Sequence, residues 1–361
     1  MRAVAALILI VAGGCQSPPA PAGANEGAAR RGTEWLLARV GKGLPPLPAE
    51  WAHWEGDLTY NWGGNQTYTE IVLYTLLRAG VPRESPEIQR LLSAARQAFP
   101  NRVFGVALRA LALRAYGGHE VRRDLFLCAQ YLVDNQDPNG GWDMGIEIPT
   151  VEIPESLAAP RVAVKRRPGA RGQNPPAFGV IYTHWAILGL AACRATGIDA
   201  PEECFSRAEK YLAARQNQDG GWGYDEKLKP QSYGTMTAGS AGALAVCLRA
   251  SSRPVAGDER IRRASEWLAK NMKVDDRASK VLHHFQYYWI HALEMAGSLV
   301  GVERFGSRAW YDEGAAWLVE QQNADGSWGD GLDIYTGKKF ERILDTCFAL
   351  LFLRRATRHA P

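Results

Sequence analysis

Two kinds of helical text alternate along this chain, and that alternation limits the fold more than any other feature. Six segments are apolar almost all round: YTEIVLYTLLRAG (68–80), VFGVALRALALRAYG (103–117), THWAILGLAACRATG (183–197), AGSAGALAVCLRAS (238–251), HHFQYYWIHALEMAG (283–297) and LDTCFALLFLRRAT (344–357). Six others carry a single apolar stripe: TEWLLARV (33–40), PEIQRLLSAARQA (86–98), AQYLVDNQ (129–136), AEKYLAARQ (208–216), SEWLAKN (265–271) and AAWLVEQQ (315–322). A helix without a polar face has to be buried, and a helix with one stripe is what covers it. Twelve such helices in strict alternation predict an all-α (α/α)6 toroid, six helical hairpins in a ring with the apolar set inside. The toroid is expected to span 28–361 as one domain, with a long loop insertion at 143–177.

Three of the striped segments end in the same turn: NQDPNGGWDM (135–144), RQNQDGGWGYD (215–225) and QQNADGSWGD (321–330). A glycine just past a helix end permits a left-handed residue, and the tryptophan after it can fold back over the last turn. The repeated residues Gln136, Trp142, Gln216, Trp222, Gln322 and Trp328 are therefore read as structural.

The first fourteen residues have a different character. Arg2 and the apolar run after it suit a signal peptide and are short for a membrane span. VAGGC (11–15) resembles a bacterial lipobox, which implies lipidation of Cys15, a tether over 15–27, and anchoring to the bacterial cell envelope, facing the periplasm or the cell surface. The lipid makes the membrane a partner. The five later cysteines are an odd number set in apolar text, which argues against a disulfide framework. A bridge between Cys193 and Cys204 stays open across their short connection. With 42 Lys and Arg against 38 Asp and Glu, the net charge of +4 does not point to nucleic acid.

The repeated Gln-x-x-(Asp/Asn)-Gly-(Gly/Ser)-Trp strings resemble the QW motifs of the squalene and oxidosqualene cyclases, whose toroid is shared by protein prenyltransferase β-subunits. The resemblance covers nearly the whole chain beyond the tether. It implies that each Gln reaches the start of a following helix and ties neighbouring hairpins together.

The site is read from the loops. Connections into the apolar helices are long, which places the candidate ligand rim where those helices begin. Aligned on their shared endings, Tyr68, His184, Phe285 and Asp345 fall at one height, with His283 and His284 just above and Tyr182 and Thr235 nearby. Tyr287 completes the candidate rim. In cyclases the resemblance implies an Asp-rich acid at the start of an inner helix. The matching place here reads RILDTC, so Asp345 is the candidate acid, while Arg342 and Leu344 stand where further aspartates would tune it. In prenyltransferases it implies a zinc held by an Asp-x-Cys pair and a histidine, for which Asp345, Cys347 and His284 are the matching residues. A third reading, a polysaccharide lyase or glycosidase, rests on Trp51, Trp54, Tyr60 and Trp62 in a rim loop, with His284 and Tyr287 or Tyr288 as base and acid.

None of these sets is complete. The expectation is an envelope-anchored toroid that binds a hydrophobic, glycan or protein ligand at the inner-helix rim without turning it over and without a cofactor. The alternative is an enzyme with Asp345 and His284 as its catalytic candidates across the readings: a diverged terpene cyclase or prenyltransferase, the latter with zinc, or a polysaccharide lyase or glycosidase.

Overall fold

The computed structural model describes residues 23–44, 68–97, 99–100, 102–143, 145, 151, 153–158, 160–163, 179–224, 230–275, 286–331 and 342–358. Among them are twelve α-helices and no strand. The striped, outer set is α1 (Ala24–Lys42), α3 (Pro86–Gln97), α5 (Arg122–Asp134), α7 (Glu202–Ala213), α9 (Glu259–Asn271) and α11 (Trp310–Glu320). The apolar, inner set is α2 (Thr69–Arg78), α4 (Val103–Tyr116), α6 (Gly179–Arg194), α8 (Gly234–Ala250), α10 (Gln286–Val300) and α12 (Ile343–Leu353). Each inner helix packs on the next, and α12 packs back on α2, so the ring closes. The expected all-α toroid is the observed fold.

Local chemistry explains the two sets. In α9 the stripe Ile261, Ala264 and Leu268 is buried and the rest is polar, and Asp258 caps the helix by accepting from the backbone of Arg260 at 3.0 Å and Ile261 at 3.3 Å. Inner helices approach too closely for side chains at some crossings. A Cβ on Gly189 of α6 would lie 2.9 Å from the Ala107 Cα of α4, so that crossing needs glycine.

The three repeated turns share one geometry. Trp142, Trp222 and Trp328 are fully buried, and their indoles donate back to the carbonyls of Leu132, Leu212 and Leu318 in the last turn of each outer helix at 2.6, 2.8 and 2.8 Å. The Gln side chains reach forward to the next outer helix: Gln136 to the Cys204 carbonyl of α7 at 2.8 Å, Gln216 to Arg260 of α9 at 2.9 Å and Gln322 to Ala28 of α1 at 2.8 Å. The glycines at 140, 220 and 326 have φ of 95°, 93° and 90°. A Cβ on them would also meet the carbonyl oxygens of Arg207, Arg263 and Arg31 at 2.3, 2.7 and 2.8 Å. Backbone conformation and close approach of the next helix both demand glycine there.

Two expectations need correction, and the open question of a Cys193–Cys204 bridge is answered. The helical fold begins at Ala24, inside the segment expected to be tether. Cys193 and Cys204 are both free, and the Cys193 thiol instead donates to the Leu125 carbonyl at 3.4 Å. The long insertion does not stay at the rim where it emerges. Arg122 of α5 donates to the carbonyls of Leu157, Ala158 and Thr196, and Asp199 after α6 bonds to Pro160 and Val162, so this part runs to the opposite end of the ring.

Candidate functional site at the mouth of the ring

Three threonines fix the rotation of the inner helices. The backbone N–H of Trp142, Trp222 and Trp328 donates to the hydroxyls of Thr183, Thr237 and Thr346 at 2.9, 3.0 and 3.1 Å, which marks the outward face of α6, α8 and α12. Two residues along an α-helix is a rotation of about 200°, so the residues two away from each threonine face the axis. Two residues later come Trp185, Gly239 and Phe348; two earlier come Ile181, Thr235 and Leu344.

The first group belongs to an aromatic floor. Trp185 packs edge-on against Phe104 of α4 at 4.6 Å, and its indole N–H donates to the Tyr288 hydroxyl oxygen of α10 at 3.1 Å. Phe348 packs on Tyr288 at 5.2 Å and on His291 at 5.5 Å. Four inner helices thus meet at the axis through rings in mutual contact. At Gly239 the floor is filled by the imidazole of His184, since a Cβ there would lie 2.3 Å from Nδ1. Toward the inner-helix N-termini, Ile181, Thr235 and Leu344 take the same axis-facing positions, and all three are buried.

The candidate site residues divide as follows. His184 is buried and pairs through Nε2 with the Ser240 hydroxyl of α8 at 2.9 Å; desolvation pushes its pKa down to about 3, so the ring is neutral. It joins two helices and has no route to act as a base at the mouth. Tyr68 and Tyr182 are buried at the starts of α2 and α6. Tyr287 turns away from the axis to pack on Trp317 of α11 at 5.5 Å, so its expected place on the rim is not where the structure puts it. Thr235 faces the mouth, and its hydroxyl has no hydrogen-bond partner. Cys15, His283, His284 and Phe285 lie outside the described residues, as do Trp51, Trp54, Tyr60 and Trp62.

Asp345 lies one turn before Phe348 on α12, against the turn that holds Gly329 and Asp330. It keeps partial exposure yet is surrounded by protein, and burial first and Asp330 second push its carboxyl up to about 7. Its oxygen presses on the last repeated turn, where a Cβ on Gly329 would meet it at 2.2 Å. Cys347 points the other way, to Thr75 of α2, and burial pushes its thiol up to about 12. Asp345 and Cys347 therefore do not converge, and a thiol held protonated is a poor zinc ligand. Among the described residues no three His, Cys, Asp or Glu groups gather to hold a metal. Of the three candidate zinc ligands, the two among the described residues, Asp345 and Cys347, do not meet at one point, and His284 lies outside the described residues.

Sequence reading missed the floor, and it missed a buried acid beneath it. Glu294 of α10 is 0% exposed and accepts from the Thr357 backbone at 3.1 Å and from the hydroxyls of Thr357 and Ser298 at 2.9 and 2.8 Å. Burial raises it to about 7. His291 stands 3.7 Å from it, is pushed down to about 3, and leaves Nδ1 without a partner.

Among solved structures the chain is similar to type II terpene cyclase MstE from Scytonema in complex with its substrate, geranylgeranyl dihydroxybenzoate. One variant of that enzyme aligns at 16% identity with a TM-score of 0.50, over 92% of this chain and 97% of that one. A second variant with the same substrate gives 16% identity and a TM-score of 0.51 over the same shares. The likeness is one of fold. No protein-family model and no curated protein sequence matches the chain.

Proposed function

We propose that the toroid binds an apolar, prenyl-type ligand across the mouth of the ring, anchored in the envelope through Cys15 and without turning the ligand over. The observation that carries this reading is the aromatic floor: Phe104, Trp185, Tyr288 and Phe348 close the axis, with Ile181 and Leu344 at axis-facing positions toward the mouth. Such a surface takes aliphatic or olefinic groups favourably, at about 25 cal/mol per Å² of apolar area removed from water. The cyclase-like fold, one relative of which is solved with a geranylgeranyl compound, supports the ligand class.

Binding is favoured over cyclisation on acid strength. Protonating an alkene needs an acid made strong by donors that stabilise its anion. Asp345 is instead weakened by desolvation and by Asp330. One observation favours the cyclase reading all the same: an acid that retains its proton near neutral pH sits one turn before Phe348 of the aromatic floor, the kind of surface that steadies a carbocation. The glycan reading loses Tyr287, which faces Trp317, and Tyr288, which is held by Trp185 and raised by burial.

The test is a titration of the full chain with squalene and with farnesol, followed by tryptophan emission. Saturable quenching that shrinks in Trp185→Phe is expected. No saturable binding of either probe would remove the reading.

A further inference from the structure

We infer that the N-terminus of α8 is a binding site for an oxyanion head group, a carboxylate or a phosphate, carried by the ligand at the mouth of the ring. The inference rests on the rim-binding reading and assigns the polar end of that ligand. α8 runs seventeen residues, and its first internal hydrogen bond is from Thr237 to the Tyr233 carbonyl at 3.0 Å. The N–H groups of Gly234, Thr235 and Met236 therefore have no carbonyl within the helix to donate to. Tyr233 at the cap position supplies no side-chain acceptor. Aligned peptide dipoles leave this end partially positive, which suits an anion.

A second feature points to the same place. Thr235 is 2% exposed, and its hydroxyl has no hydrogen-bond partner. A buried polar group without a partner is uncommon and costly, and such a group calls for an explanation in its surroundings. Thr237, two residues on, spends its hydroxyl on the Trp222 backbone at the outward face. Thr235 is rotated about 200° from it and so points into the mouth, one turn above Gly239. Gly234 lets the Trp289 ring close against the start of the helix, since a Cβ there would lie 2.8 Å from the ring, and the Trp289 indole is itself committed to the Lys273 carbonyl at 2.9 Å. The arrangement is a set of donors with one apolar wall. Thr235 would donate its O–H to a ligand oxygen, the backbone N–H groups would take the remaining oxygens, and the prenyl chain would lie over Ile181 and Leu344.

The experiment compares three probes on the full chain by titration calorimetry: farnesoic acid, farnesyl monophosphate and farnesene, which has no head group. Thr235→Val keeps the shape and removes the donor, and Thr235→Ser restores it. The wild type should hold one or both oxyanion probes more tightly than farnesene, and which of the two is preferred identifies the head group. Thr235→Val should weaken the preferred probe about tenfold, leave farnesene unchanged and melt no lower than wild type, because it removes an unpaired buried hydroxyl. Thr235→Ser should recover the affinity. Equal binding of all three probes, or an oxyanion affinity indifferent to Thr235→Val, overturns this inference and leaves rim binding standing. Failure of all three to bind overturns both.

Discussion

The side-chain amide of Gln322 donates to the backbone carbonyl of Ala28 at 2.8 Å, joining residues 294 apart in sequence. Gln136 and Gln216 make the same bond between consecutive hairpins, but Gln322 makes it between the last outer turn and the first outer helix. The ring is thus locked by a device that the chain uses elsewhere only for propagation. Gln322→Leu should cost about 1–3 kcal/mol, and hydrogen exchange should speed up first in α1. Uniform loss of protection over all outer helices would show that closure does not depend on this contact.

The turn tryptophans are predicted to be anchors for the fold. Trp222 is fully buried and holds both ends of its turn, the indole to Leu212 and the backbone N–H to Thr237. Trp222→Ala should cost roughly 3 kcal/mol or more in denaturant unfolding. Unchanged unfolding with a lost ligand activity would reverse the assignment.

Much of this was legible. All-round apolar segments can only be buried, so their alternation with striped ones carried the ring, and the repeated Gln, Gly and Trp carried the ties. The threonines that receive the turns were not legible, because Trp142 to Thr183, Trp222 to Thr237 and Trp328 to Thr346 span 41, 15 and 18 residues and follow no period. The floor was hidden for a related reason. In a helix apolar on every side, periodicity gives no facing, so nothing distinguished Trp185 or Phe348, which meet the axis, from Tyr287, which turns to Trp317. Asp345 and Cys347 look paired at a spacing of two, yet the helix sends them to different neighbours.

Buried titratable groups set the pH profile. Glu294 and Asp345 rise from ordinary values of 4.5 and 3.8 to about 7. Their contributions to stability are fully present below about pH 4 and are lost as pH rises through 7. His184 and His291 fall from 6.5 to about 3, so theirs are present above 6.5 and lost as pH falls through 3. The two pairs oppose each other between about pH 4.5 and 6.5, which predicts a plateau in melting temperature there and a decline below pH 4. Glu294→Gln removes one of the acids, so its decline should already begin near pH 6. A variant profile as flat as wild type would contradict the account.

Anchoring makes its own prediction. With Cys15 lipidated, the protein should sediment with membranes and partition into detergent, and Cys15→Ser should release it or block its processing. Among the described residues no helix is long and apolar enough to cross a membrane. Wild-type protein that is wholly soluble after export would contradict lipidation.

Asp345 decides between holding a ligand and transforming it, since the cyclase reading passes through this carboxyl. The direct measurement is incubation of wild type and Asp345→Asn with squalene and with a geranylgeranyl aromatic acid, with products separated by gas chromatography and mass spectrometry after derivatisation. The account predicts that both proteins return both polyprenes unchanged and that the amide alters affinity by no more than about threefold, because an amide retains the hydrogen-bond donor that a neutral carboxyl offers. A cyclised product formed by wild type and lost in Asp345→Asn would contradict it and make Asp345 the proton donor of a terpene cyclase.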